Sequence, residues 1–544
     1  MTKGCVRRRL QPVAATVAAA VVAAGALAGC APSGSAAPGR RHPGSTSATS
    51  TTRSSTAGAG SGTVAAPGSA SQNLLTYGYG NARDGTGPET PSLAGIGNSP
   101  SWQQRLSAGV YGQPLVDGHL VVVATEDDYV DAFDTATGKR AWSFSIGNPA
   151  QQSAVQSAPT LSSSCGDVFP LGITGTPVID APMNEIFVAG EVQRAGTSGW
   201  QGIEHVMAAA TFNSTRATIR WVRQIDPPGA GSAYIVAAEQ QRSSLTLAAG
   251  RVYAEFGGLY GDCGRYQGYV VGLPTTGKAS LAYFRVPTSR EGAIWSTGGA
   301  SVGLHGELYV ATGNSANESP SEPFDYGDAV IGLTPAAGSL KIAGYFAPSD
   351  WPALNAEDRD LGSAGPAVLA GGRLIFEIGK TPPDGVSTGY LLDAASLGGL
   401  GRPLFTGAVC PNGGSVFGAE ATANLILHGR HVTYIYVPCP SGTVALVLKG
   451  STAAPSFSVA WVAPASAASG NGPPIVAGGL VWSLATGADG GSGGANLYGL
   501  NPRTGALEVA RVTAAVEHFA TPGAGGGRIF VPTTDGLEAF APKS

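Results

Sequence analysis

Charge is scarce in this chain: Asp, Glu, Lys and Arg make up 12% of 544 residues, and the formal net charge is −4. No basic stripe is available to hold a phosphate backbone, so nucleic acid is excluded as a partner. So few charges also argue against a helical bundle, whose solvent faces need them. Cysteine is sparse, at six residues, and none has the CxxC spacing of a structural zinc site or the CxxCH of a haem attachment. The seven His show no metal-ligand spacing. Two GxSxG matches, Gly299 to Gly303 and Gly490 to Gly494, are expected by chance among 81 glycines, and neither sits on a strand-to-helix elbow. What the chain has in abundance is that glycine, which suits a turn-rich all-β fold.

Arg7-Arg8-Arg9 precede an apolar, Ala-rich run from Val13 to Leu27 that ends in Leu27-Ala28-Gly29-Cys30. A basic start, a short apolar core and small residues before a cysteine resemble a bacterial lipoprotein signal. The run is too short for a confident permanent span. Residues 1–29 are therefore expected to be removed, with Cys30 lipidated as the first mature residue, and the export route, Sec or twin-arginine, is left open. Residues 31–72 are mostly Ser, Thr, Gly, Ala and Pro with no acidic residue, a composition that cannot bury a core. A flexible tether of that length averages ~35 Å end to end. The expected location is the outer face of the bacterial cell membrane.

From residue 73 onward one pattern repeats. Around Pro114 to Trp142, Leu115-Val116 run into an Asp117-Gly118 turn, Leu120 to Ala124 form an apolar strand, and Tyr129 to Asp134 form another. Thr135-Ala136-Thr137-Gly138 turn the chain into a fourth strand starting at Lys139. Four antiparallel strands in about 40 residues are the size of a propeller blade. Apolar runs meeting at a turn recur around Met183-Asn184, Gly250, Gly306, Gly372, Gly429, Gly479 and Gly527, eight in all, at a mean spacing of about 58 residues. The last unit is one strand short, and Ser101 to Leu106 read as the strand that completes it. Joining the two termini removes an exposed sheet edge. The prediction is an all-β, eight-bladed propeller over 73–544, with seven blades as the alternative.

In such a blade the first-to-second and third-to-fourth turns share one face. The second-to-third and blade-to-blade connections share the other. The long segments 147–172, 191–203, 257–265, 288–299, 313–326, 348–362 and 487–494 fall on that second face, and long loops on one side of a rigid scaffold mark a binding surface. Four cysteines remain beyond Cys30, which allow three pairings in an exported chain. Cys410 and Cys439 both reach the long-loop face of neighbouring blades, so Cys410–Cys439 is expected, leaving Cys165–Cys263 to bridge farther around the ring. Glu126-Asp127-Asp128 also face the long-loop side, as a solvated loop or a cation site.

The segment AFDTATGKRAW (Ala132 to Trp142) resembles the repeat of quinoprotein-type propellers. GITGTPVID (Gly172 to Asp180), GAIWSTGGA (Gly292 to Ala300), LYVATGN (Leu308 to Asn314) and DLGSAGPAVL (Asp360 to Leu369) are similar to quinoprotein alcohol dehydrogenases and polyvinyl alcohol dehydrogenases. The resemblance covers roughly residues 100–541. It implies pyrroloquinoline quinone (PQQ) held on Ca²⁺ in the central channel by a carboxylate and an amide oxygen, with an Asp as general base and a Trp stacked on the quinone. By that similarity Asn314 is the amide ligand, Glu191 the carboxylate ligand, Trp295 the stacking residue and Asp360 the base, with Asp358 as an alternative. Read structurally, Asn314 is a turn residue, Asp360 a cap or turn acceptor and Trp295 a packed aromatic. The adjacent cysteine pair that such enzymes carry over the quinone is absent, and Glu191 stands in AGEVQ, a poor fit to the family's ligand segment.

Two functions follow. The first is a lipid-anchored propeller that binds an envelope protein, glycan or small molecule through its long-loop face, like the outer-membrane assembly lipoprotein that shares these repeats. The second is a PQQ- and Ca²⁺-dependent dehydrogenase acting on an alcohol or sugar. The missing cysteine pair favours the first, with the cofactor and ligand left unknown.

Overall fold

The computed structural model describes residues 73–89, 91–226, 235–382, 384–470, 472–486 and 495–543. The expectations for the signal, for Cys30, for the tether and for loop 487–494 fall outside these residues. Eight antiparallel four-stranded units follow one another. The first comprises Leu115–Asp117, Leu120–Ala124, Tyr129–Asp134 and Arg140–Ser145. Blades 2 to 7 occupy 178–224, 246–285, 301–347, 367–408, 421–462 and 475–513. Blade 8 is built from Gly523–Gly525, Arg528–Thr533, Gly536–Phe540 and, as its outer strand, Trp102–Arg105. Trp102 pairs with Ala539 and Arg105 with Gly536, so the two ends of the domain share one sheet. The innermost strands of blades 1 and 8, 2 and 3, 4 and 5, and 6 and 7 touch, as expected of blades set around one axis.

The repeat signature has a packing reason. The fourth-strand Trp of one blade leans onto the third-to-fourth turn of the next and donates its indole N–H to a carbonyl there. Trp102 donates to Thr135 at 2.9 Å, Trp142 to Asn213 at 3.0 Å, Trp221 to Thr275 at 3.2 Å and Trp461 to Pro502 at 3.1 Å. In three of these turns a glycine lies under the indole: a Cβ on Gly138 would come 2.7 Å from Trp102, one on Gly277 2.6 Å from Trp221, and one on Gly505 2.5 Å from Trp461. All three glycines have φ near +70°, so the turn needs glycine for its backbone as well as its size. Between the blades the interior is apolar and close-packed, as with Tyr309, Phe346, Ile375 and Tyr390 between blades 4 and 5.

Inner strands leave an unpaired edge facing the channel, which has to be satisfied. Residues 73–87, ahead of the first blade, do this for the whole ring. Leu74 exchanges two backbone bonds with Val116 of blade 1, and Leu75 O accepts from Ile179 N of blade 2. The Asn81 side chain donates to Leu247 O of blade 3. The carbonyls of Asn81, Ala82, Asp84 and Gly85 accept from Val302, Val368, Thr422 and Val476 of blades 4 to 7. Tyr79 Oη donates to Ala524 O of blade 8. The segment closes the channel floor. Asn73 bonds to Asp117 and Gly118, which places the start of the described chain at the short-turn face. Arg83 is the pin, 2% exposed, and it donates to Thr76 Oγ1, Tyr77 O, Leu245 O, Thr246 Oγ1 and Ala300 O.

Turn lengths follow the expected asymmetry with one departure. The third-to-fourth connection of blade 5, residues 394–404, is long, and within it Gly399–Leu400 pairs in parallel with Phe346–Ala347 of blade 4. The loop predicted to start at residue 191 starts later, because strand Glu185–Gln193 runs through it. Both disulfides form as expected, Cys165–Cys263 and Cys410–Cys439, and both lie on the long-loop face.

Candidate functional site at the axial mouth

The chain segments that enter the inner strands descend from the long-loop face, and their side chains meet on the axis. Tyr111, Thr174, Arg242, Thr297, His518 and Phe519 surround a cavity of about 10 Å³, with Tyr77 of the floor segment beneath. That is about the room one water needs. Tyr77 Oη lies 3.0 Å from Thr521 Oγ1, and Gly78 N donates to Gln113 Oε1, so floor and wall are bonded together.

Above this cavity stands an aromatic cluster. Trp295 has Phe417 at 6.1 Å and Phe519 at 6.3 Å, and Phe417 stacks on Phe519 at 5.0 Å. Two cations lie against the indole: Arg242 and Lys380, each 5.8 Å from its ring. Arg242 also faces the Phe519 ring at 5.7 Å. Such contacts favour a cation over the negative face of the ring.

Three residues named by resemblance come together beside Trp295. Asn314 N donates to Asp360 Oδ1 at 2.8 Å, and Asn314 O accepts from Gly292 N. Gly313 permits the approach, since a Cβ there would lie 2.5 Å from Asp360 Oδ1 and 3.3 Å from Trp295 Nε1. Lys380 joins them, with its ammonium 2.9 Å from Asp360 Oδ2 and 2.5 Å from Asp358 Oδ1. Burial opposes the ammonium charge, but the two carboxylates outweigh it and raise the Lys380 pKa. Asp328 is buried beneath and accepts from Leu361 N. Burial, and next the Asp360 charge, hold its carboxyl well above the usual range.

Glu191 has different partners. Its Oε1 accepts from Gln241 N at 2.7 Å and lies 3.3 Å from His205 Nε2, while His205 Nδ1 lies 2.7 Å from Asp226 Oδ1. Burial works against a charged His205, yet Asp226 and Glu191 overcome it and raise the imidazole pKa to about 10. Glu126 accepts from Gly172 N at 2.9 Å, and burial pushes its carboxyl up to about 8. Asp128 rises to about 9 for the same reason, helped by Glu191 and Glu126. Asp127 instead accepts from Ser107 and Thr125.

These residues do not fit a quinone on calcium as they are arranged. A hard cation of calcium's size needs six to eight oxygens. Both oxygens of Asp360 are committed, one to the Asn314 amide and one to Lys380, and the ammonium supplies the positive charge between Asp358 and Asp360. Among the described residues no group of three or more His, Cys, Asp or Glu is placed to hold a metal. Arg242 and Lys380 stand against the indole face on which the quinone would stack.

Lys380, Arg242, His518 and Phe519 were not among the residues singled out in the sequence. Their signal was positional: Arg242, His518 and Phe519 precede the inner strands of blades 3 and 8 as Trp295 precedes that of blade 4. The equivalence of the eight entry segments puts these three on the axis, whereas Lys380 lies in the second-to-third connection of blade 5 and carries no such signal.

A family model described as outer membrane protein assembly factor BamB matches residues 52–202. No curated protein matches the chain. Among solved structures, quinohemoprotein alcohol dehydrogenase from Comamonas testosteroni superposes with a TM-score of 0.58 at 15% identity, covering 87% of this chain and 82% of that one. A europium-containing methanol dehydrogenase gives 0.55 at 14% identity, covering 86% and 90%. BamB from Moraxella catarrhalis gives 0.46 at 11% identity, covering 82% and 99%. The protein is an all-β propeller that shares its fold with the quinoprotein dehydrogenases, and its residues 52–202 are similar to the BamB family model.

Proposed function

We propose that this protein is an extracytoplasmic binding module, tethered to the outer face of the membrane through lipid on Cys30, which engages an envelope partner through its long-loop face. The observation that carries this reading is the floor segment. Residues 73–87 bond to the inner strand of every blade, so among the described residues the axis is approached from the long-loop side. Two disulfides on that face support an oxidising compartment, and they hold its loops in place. The match to the BamB family model supports a binding role over a catalytic one.

The dehydrogenase reading draws support from the meeting of Trp295, Asn314 and Asp360, and Lys380 counts against it. One experiment separates the two. A photo-crosslinking residue is placed in the full chain in cells, at Ala195 on the long-loop face or at His119 on the short-turn face, and purified protein is titrated with PQQ and Ca²⁺. Crosslinks from Ala195 alone, without saturable quinone binding, support the binding module. Saturable Ca²⁺-dependent quinone binding that is lost in Asn314→Ala overturns it.

A further inference from the structure

The two most buried arginines near the axis are held very differently. Arg83 spends its guanidinium on five protein acceptors. Arg242 is 8% exposed and makes one hydrogen bond, from Nη2 to His518 Nε2 at 2.8 Å. Among the described residues its Nε is buried without a partner and no bond leaves Nη1. No carboxylate among the described residues lies within ion-pairing distance of it. A buried guanidinium without a counter-charge is costly, and removing it normally stabilises a protein unless a ligand uses it.

His518 does not supply the missing charge. Burial and the neighbouring Arg242 keep its imidazole neutral, with the pKa lowered to about 4, so it serves as an acceptor that orients the guanidinium. Trp295 and Phe519 hold the same group by their faces. Arg242 is therefore preorganised and buried without an ion pair of its own, beside a small axial cavity, and Asp167 Oδ2 lies beyond the imidazole, 3.8 Å from His518 Nε2.

We propose that Arg242 is the anchor of a carboxylate-binding site at the axial mouth. A planar carboxylate matches the free N–H groups of a guanidinium, and the apolar rings around it favour a ligand whose acid is carried on a compact apolar or peptide stem. The cavity beside it holds about one water, so the acid group would meet the guanidinium by displacing that water and the body of the ligand would stay outside. The source is either a small free carboxylic acid or an acidic side chain at the tip of a partner's loop. For its route of access this inference rests on the long-loop reading above.

The test uses the full chain in detergent, titrated with acetate, benzoate and the blocked peptide acetyl-Gly-Glu-Gly-amide, against sodium chloride at equal ionic strength. Thermal midpoint and tryptophan fluorescence are read, with Trp295→Phe to assign the signal. The expected result is a saturable rise in midpoint with a Trp295-dependent fluorescence change, weakened at least tenfold in Arg242→Gln. Without ligand, Arg242→Gln should melt at or above the parent, whereas Arg83→Gln should melt well below it. Tightest binding of the peptide assigns the site to an acidic protein segment, and tightest binding of benzoate assigns it to a small acid. The proposal is overturned if carboxylates do no more than chloride, or if Arg242→Gln loses stability as Arg83→Gln does. Crosslinks from Ala195 with flat titrations would remove the carboxylate site and leave the long-loop reading standing.

Discussion

Arg83 donates to the Thr246 hydroxyl at 2.6 Å and so fastens the chain ahead of the first blade to the inner strand of the third. The same guanidinium reaches Leu245 and Ala300, so one side chain joins the floor to blade 3 and to the start of blade 4. Truncating it to Ala leaves several buried acceptors without donors, a loss of about 3 to 5 kcal/mol. Urea unfolding of the full chain should show that fall. A loss under about 1 kcal/mol would mean that the floor segment is dispensable to the ring.

Gly138 and Gly118 both sit at positive φ, +71° and +59°, but only Gly138 lies under an indole. A Cβ at Gly118 meets nothing within 4 Å, so Gly118→Ala should cost about 1 kcal/mol, from the backbone alone. Gly138→Ala adds the clash with Trp102 and should cost about 2 to 4 kcal/mol. Because Trp102 belongs to the strand that closes the ring, the larger variant should also expose the N-terminal region to protease first. Equal losses at the two glycines would refute the packing role.

Stability should decline as pH rises from about 5 to 9. Burial raises Glu126 to about 8 and Asp128 to about 9, so the folded chain keeps protons that the unfolded chain gives up near pH 4. More protons bound in the folded state means that stability is fullest below the unfolded pKa and is lost as pH climbs toward the folded one. His205, raised to about 10 by Asp226 and Glu191 against its burial, acts in the same direction above its unfolded pKa. Glu126→Gln keeps an acceptor for Gly172 N and removes one titrating group. It should match the parent at pH 5 and exceed it at pH 9 by on the order of 2 kcal/mol in urea unfolding. Parallel pH profiles would show that Glu126 does not titrate in this window.

The two disulfides close loops of very different length, with sequence separations of 98 for Cys165–Cys263 and 29 for Cys410–Cys439. Constraint of the unfolded chain predicts losses of about 5 and about 4 kcal/mol when each pair is changed to Ser. The longer bridge should also matter more for function, since it spans from the connection after blade 1 to a loop of blade 3 across the long-loop face. Melting and Ala195 crosslinking of the two double variants would check both statements. A larger functional loss from Cys410→Ser/Cys439→Ser would reverse the order.

The sequence by itself determined what is local and repetitive. Apolar runs broken by Gly turns set the strands, their recurrence set eight units, and the last unit's missing strand pointed to Ser101 to Leu106. Those features are decided by residues a few positions apart, so one chain is enough to see them. The tertiary structure alone decided what depends on meetings across the ring. Nothing between residues 73 and 87 announces a segment that bonds to eight separate strands, because its partners lie up to hundreds of positions away. Asn314 and Asp360 could be named from a resemblance, but only the fold put Lys380 between Asp358 and Asp360, and so placed an ammonium where a metal would need free oxygens. Arg242 looks like any polar residue in its run. Its burial, and among the described residues its single hydrogen bond and lack of an ion pair, arise where entry segments of distant blades converge on one axis, and local sequence carries no record of that convergence.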